Sequence, residues 1–184
     1  MRENAAVSSE TTRNPYEANQ AVNAKYLLFW EETDPEKRTD AFLEFLLSLA
    51  ARMKEGGTVP APCVDVTGSL HAAIEQVNPV AGETFQVKDE IRLRMDTMTD
   101  GNGDLWLPLF LDREDMENGQ VADVTIPVEI SDILRFGLER EDLQGVVVNP
   151  FGHPFTLGKK LLAQFLEDSA NWVICKDTRN KEEV

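Results

Sequence analysis

The chain has 184 residues, 33 of them acidic against 18 Lys or Arg, and a formal net charge of −15. So acidic a balance excludes nucleic acid and anionic membrane as partners, because both need a positive footprint, and the basic pairs Arg92/Arg94 and Lys159/Lys160 are too few to make one. A chain of this length buries roughly 70% of its unfolded surface, so it can hold one core without disulfides or metal.

Residues 1–15 are polar and unpatterned and are expected to form a disordered tail. Met1 to Asn14 has no apolar stretch of the signal-peptide kind, and no apolar run in the chain reaches the ~18 residues of a membrane span. A cytoplasmic location is the expectation. The two cysteines, Cys63 and Cys175, are expected to be free thiols.

Residues 16–176 read as a single domain, followed by a charged tail at 177–184. A helix is predicted from Tyr16 to Glu32, with Val22, Tyr26, Phe29 and Trp30 on one face. Asp34 and Pro35 suit the N-cap and first turn of a second helix reaching Lys54. On it Phe42, Phe45, Leu46, Leu49, Ala50 and Met53 form an apolar stripe, which Leu43 and Leu47 widen. Gly56 and Gly57 end it. Thr58 to Val66 is extended and proline-interrupted, which predicts an edge strand. Leu70 to Val77 reads as a turn or two of helix, and the rest of 67–90 has no clear pattern.

Period-two alternation from Asp89 to Met98 predicts a half-buried strand carrying Ile91, Leu93 and Met95 on one face. The turn residues at 100–104 (DGNGD) join it to a second strand, Leu105 to Leu111, as a β-hairpin. Then follow a short helix (Asp112 to Asn118), a strand (Val121 to Val128), a helix (Glu129 to Leu138) and an apolar strand (Gly145 to Asn149). The unit from Val121 to Asn149 is expected to pair its strands in parallel. Thr156 is placed to cap a last helix bearing Leu157, Leu161, Leu162, Phe165 and Leu166, and 171–176 could add a short strand. The fold class is therefore α/β, bordering on α+β: a mixed sheet with a hairpin and a parallel β-α-β unit, and two N-terminal helices packed on one face.

Motifs for cofactors and metals fail on their spacing. Starting an EF-hand at Asp100 puts Leu105 where glycine is obligatory and Leu111 where a bidentate acid is needed. Gly152 to Lys160 has five residues between its glycines rather than four, and no hydroxyl after Lys159, so it is not a phosphate loop. His71 and His153 lack neighbours at zinc-ligand spacing, and neither cysteine sits in a nucleophile motif. No catalytic residue, metal ligand or cofactor is assigned.

Charge is unevenly distributed. Residues 96–142 hold 13 acids and 3 bases, net −10, which is two-thirds of the total. Such a stretch is either solvated surface or an acidic docking face for a basic protein. Glu114, Asp115 and Glu117 are the candidate partner-binding residues.

Two segments resemble a known family. Leu107 to Glu114 (LPLFLDRE) resembles the "lPlFts.eel" segment of the SseB-type N-terminal domain, and Gly145 to Gly152 (GVVVNPFG), followed by Phe155, Thr156 and Leu157, resembles its "G.vlNPfg..f.l" segment. Their order and separation and the preceding helix pair fit over roughly residues 20–168. Leu111 and Asp112 depart from the small hydroxyl residues frequent in that family, and 67–104 do not match. The resemblance implies a bacterial cytoplasmic protein, in a family named for enhanced serine sensitivity, with no established enzymatic activity.

The expected function is a non-enzymatic protein-interaction or regulatory module. The alternative is a small-ligand binding domain or cryptic enzyme using the 149–155 turn, with Asn149, Phe151, Gly152 and His153 as its residues. A structural homodimer is a third possibility, if Phe29, Trp30 and Trp172 form an exposed apolar patch.

Overall fold

The computed structural model describes residues 14–77, 90–119 and 124–171. Most of the two expected tails, Trp172, Cys175 and the expected strand at 171–176 lie outside these residues.

The first predicted helix is divided. Helix α1 (Pro15–Ala18) is capped by Asn14, whose side chain accepts from the Tyr16 amide, and α2 (Gln20–Glu31) follows after Asn19. Asn19 is fully buried. Its Nδ2 donates to the Thr58 carbonyl at 2.8 Å and its Oδ1 accepts from Arg52 Nε at 3.0 Å. Short amide side chains compete with helical geometry in this way. Here the competition ties the chain to the strand that begins at Thr58.

Helix α3 (Pro35–Lys54) starts as the sequence predicts. Asp34 Oδ1 accepts from the Glu36 and Lys37 amides at 3.0 and 3.3 Å. Arg52 and Lys54 sit in its last turn, where cations suit the helix dipole. Gly56 follows with φ 70, a left-handed stop that glycine adopts without strain. Helices α2 and α3 pack through Tyr26, Phe29, Phe45 and Leu49, with the Tyr26 and Phe45 rings edge-on at 5.1 Å. Each such buried side chain contributes about 1.5–3 kcal/mol. Leu43 and Leu47 remain exposed, so no described element covers the widened stripe. Phe29 is only 7% exposed and packs on Phe42 and Phe155, so it does not belong to an exposed dimer patch.

The strands are β1 (Thr58–Asp65), β2 (Leu93–Met95), β3 (Met98–Thr99), β4 (Leu105–Leu109), β5 (Val124–Glu129), β6 (Leu143–Val148) and β7 (Phe155–Gly158). They form two sheets, ordered β2-β1-β5 and β3-β4-β6-β7. Helix α4 (Ser69–Val77) follows β1, α5 (Arg113–Asn118) follows β4, α6 (Ile130–Glu139) joins β5 to β6, and α7 (Lys159–Asn171) follows β7. One hydrophobic core joins both sheets to α2, α3, α6 and α7. The fold is α/β with a mixed sheet, as the sequence predicts.

Four local expectations change. Strand β1 is central, not an edge, despite Pro60 and Pro62. The register explains how. Pro60 faces Pro127 and Pro62 faces Thr125, so neither proline can be in a hydrogen-bonded pair with β5. Their backbone groups point to the β2 side, where β2 begins to pair only at Cys63. Next, the run before the hairpin is two strands. Leu93–Met95 pairs with β1, and Met98–Thr99 pairs with β4. The change of sheet falls at Asp96, whose amide donates to the Pro62 carbonyl at 2.8 Å.

The parallel pair is β4 with β6, rather than the strands at either end of 121–149, because β5 lies in the other sheet. Finally, Thr156 does not cap a helix. It sits in β7 opposite Val147, with Leu157 buried, and α7 begins at Lys159.

The 100–104 turn forms the β3–β4 hairpin. Asp100 Oδ1 accepts from the Asn102 and Asp104 amides at 2.8 and 3.0 Å, and its Oδ2 accepts from Trp106 Nε1 at 3.2 Å. Those bonds hold its carboxyl below the usual range. The carboxylate oxygens are committed to closing the turn. Cys63 is free and buried.

Candidate functional site

Strands β4 and β6 run in parallel, so the segments after each emerge at the same end of the sheet. Those segments are α5 and the turn from Asn149 to Pro154. They are also the two places from which the sequence draws its candidate residues.

Asn149 makes the turn possible. Its φ is 41, the only positive value among described residues other than glycine. Asparagine tolerates this region better than most residues. Its amide donates to the Leu109 carbonyl at 3.0 Å, and its Oδ1 accepts from the buried Leu111 amide at 2.9 Å. Its Nδ2 donates to Asn23 Oδ1 on α2 at 3.0 Å. The side chain therefore closes the end of β4 and ties it to the helical layer.

Asp115 joins α5 to the same turn. Asp112 caps α5, accepting from the Glu114 amide at 3.2 Å. One turn on, Asp115 points inward and is 4% exposed. Its Oδ1 accepts from the Phe151 amide at 3.0 Å and from the Gly152 amide. Its Oδ2 is buried and has no hydrogen-bond partner. Burial raises its pKa above the ordinary 3.8, against the two amides that lower it, with nearby Asp112 adding to the rise.

The sign of this effect is testable. A raised folded-state pKa gives stability that is fully present below 3.8 and is lost as pH rises through the folded value. Wild type is therefore expected to gain stability relative to Asp115→Asn as pH falls from neutral into the carboxylate range. Urea unfolding of both proteins at several pH values measures the gap. A gap that narrows in the opposite direction would show that the fold prefers the carboxylate.

The three acids proposed for partner binding thus divide. Glu114 and Glu117 are exposed, while Asp115 is spent inside. Glu117 lies 3.9 Å from Arg113, an exposed pair of little energetic weight. Beside α5 the Phe151 ring is 41% exposed and stacks on buried Phe110, with centroids 6.2 Å apart and planes at 13°. Gly119, at the end of α5, abuts that ring, and a Cβ there would overlap it. Glu114, Glu117 and Phe151 accordingly belong to one assembly.

Gly152 and His153 complete the turn and are exposed. The His153 carbonyl accepts from the buried Tyr26 hydroxyl, and its ring lies 5.6 Å from Trp30. Burial pushes the Tyr26 phenol well up, so it stays a donor. Three surface cavities, lined by Pro60 and Pro127, by Lys25 and Glu44, and by Phe42 and Phe155, do not include Asn149, Phe151, Gly152 or His153 in their walls. Among the described residues no group of three or more His, Cys, Asp or Glu is placed to hold a metal ion, and no helix is long and apolar enough to cross a membrane.

The acidic stretch at 96–142 does not make one face. Asp104 accepts from Gln144 Nε2 at 3.1 Å, so the hairpin acids adjoin the start of β6, near Asp142. The α5 acids lie at the other end of the same strands. Five residues of strand, about 17 Å, separate the two groups. Sequence proximity concealed this division.

Compared with protein-family models, with curated proteins and with solved structures, the chain finds no match. The site offers an exposed aromatic ring beside carboxylates, with Asn149 Oδ1 and Asp115 Oδ1 directed at backbone amides.

Proposed function

We propose that the chain is a non-enzymatic protein-interaction or regulatory module of the bacterial cytoplasm, akin to the SseB-type domain. It engages a basic partner through Phe151, Glu114 and Glu117. The observation that carries this reading is the Asp115 clasp. By binding the Phe151 and Gly152 amides it fixes an exposed aromatic ring against the acidic helix α5. Interfaces draw their energy from such anchors, and carboxylates beside them steer and select a cationic partner.

The likeness to the SseB-type segments is supported by position. The two segments that carry it, 107–114 and 145–157, are the ones that meet at this end of the sheet.

The test is capture from the native host. Wild-type chain is expected to recover a protein that Phe151→Ala loses at least tenfold and that Glu114→Lys/Glu117→Lys loses comparably. Equal recovery by both variants would overturn the proposal.

A further inference from the structure

A second surface lies at the other sheet, where a groove of about 880 Å³ runs beside β5. Its lining shows its orientation. Strand β1 contributes alternate residues, Thr58 and Pro60, as a sheet face does. Strand β5 contributes five consecutive residues, 125–129, which a face cannot do. The groove therefore follows the edge of β5 over about 16 Å.

That edge presents backbone groups. Among the described strands β5 pairs only with β1. The pairs Pro60–Pro127 and Pro62–Thr125 cannot be hydrogen-bonded ones, so Thr125 and Pro127 direct their backbone groups away from β1. Thr125 offers an N–H and a C=O, and Pro127 a C=O alone. Pro15 and Ala18 of α1 add an apolar wall.

The charge of the lining identifies the occupant. Glu55, Glu129 and Asp132 face it against one cation, Arg52. Arg52 is bonded to Asn19 at 3.0 Å and paired with Glu55 at 3.4 Å, so Glu129 and Asp132 are the charges of this lining left to meet an occupant.

We propose that this groove accepts an extended basic segment of a partner protein, which adds as a strand to the outer edge of β5 through Thr125. Main-chain bonds to an open edge supply affinity in such complexes, and the flanking side chains supply selection. None of the residues of the Phe151 surface lines this groove.

The probe is a synthetic ten-residue peptide alternating Thr and Lys, with a Thr/Glu peptide as control, titrated into the full chain. The Lys peptide is expected to shift the amides of Thr125, Ile126 and Val128 and to slow hydrogen exchange at Thr125. Thr125→Pro removes the outward N–H without touching the β1 ladder, and is expected to weaken binding at least tenfold with unchanged circular dichroism. Should that variant not fold, Glu129→Gln/Asp132→Asn is expected to weaken binding severalfold and flatten its salt dependence. Glu114→Lys/Glu117→Lys should bind the peptide as wild type does, which separates this proposal from the preceding one. Equal shifts from the Glu peptide, undiminished binding by a folded Thr125→Pro, or shifts confined to α5 and Phe151 would overturn it.

Discussion

Asn149→Ala is expected to destabilise the chain by about 3 kcal/mol. Two losses combine. Alanine at φ 41 carries left-handed strain of about 1–2 kcal/mol. The buried amide of Leu111, a residue only 1% exposed, loses its acceptor at a cost of about 1–3 kcal/mol. Urea unfolding at neutral pH measures the sum. Asn149→Gly separates its parts, because glycine relieves the backbone strain and leaves the Leu111 amide orphaned. It should recover about 1 kcal/mol of the loss. A cost under about 1 kcal/mol for the alanine variant would mean that water or a neighbour satisfies that amide.

Gly145→Ala is the second large effect, also about 3 kcal/mol. Gly145 lies where β6 carries an extra residue against β4, between the Leu105–Leu143 and Leu107–Val146 pairs. Its φ is 148, a region that residues with a Cβ rarely enter. A Cβ there would overlap the Leu157 carbonyl oxygen of β7, which is backbone and cannot swing aside. Strain of about 1 kcal/mol and overpacking of about 1–3 kcal/mol both apply. Thermal unfolding should show the loss, and amide exchange should locate it in β6 and β7. A variant as stable as wild type would contradict the close approach of these two strands.

These glycine and asparagine positions mark the limit of what the sequence makes legible. The pattern of apolar residues on α3, the cap at Asp34 and the hairpin turn at 100–104 are local facts, and they appear where the periodicity and turn chemistry place them. Pairing is not local. Nothing in residues 121–149 states that β5 leaves for another sheet, and only the register with β1 shows why Pro60, Pro62 and Pro127 coexist there. Thr156 has the chemistry of a cap and also that of a strand, and the open side of β6 decided it.

The candidate site was legible in its members and not in their roles. On the sequence alone, Glu114, Asp115 and Glu117 and the 149–155 turn stand as two separate proposals. The β4–β6 pairing makes them one. Asp115 follows its cap, Asp112, by three residues, which sets it in the first turn, yet burial is a property of the turn above it, 36 residues on. The β5 groove had no sequence signal, because its lining comes from α1, α3, β1, β5 and α6 together.

We propose that Phe151, held by Asp115 beside the acids of α5, meets a protein partner. A photo-crosslinking residue, p-benzoyl-phenylalanine, placed at 151 in the native host tests it most directly, with the same residue at exposed Leu47 on α3 as control. A discrete covalent adduct is expected at 151, abolished by Glu114→Lys/Glu117→Lys and not formed from position 47. No adduct at 151, or one indifferent to the charge reversal, would contradict it.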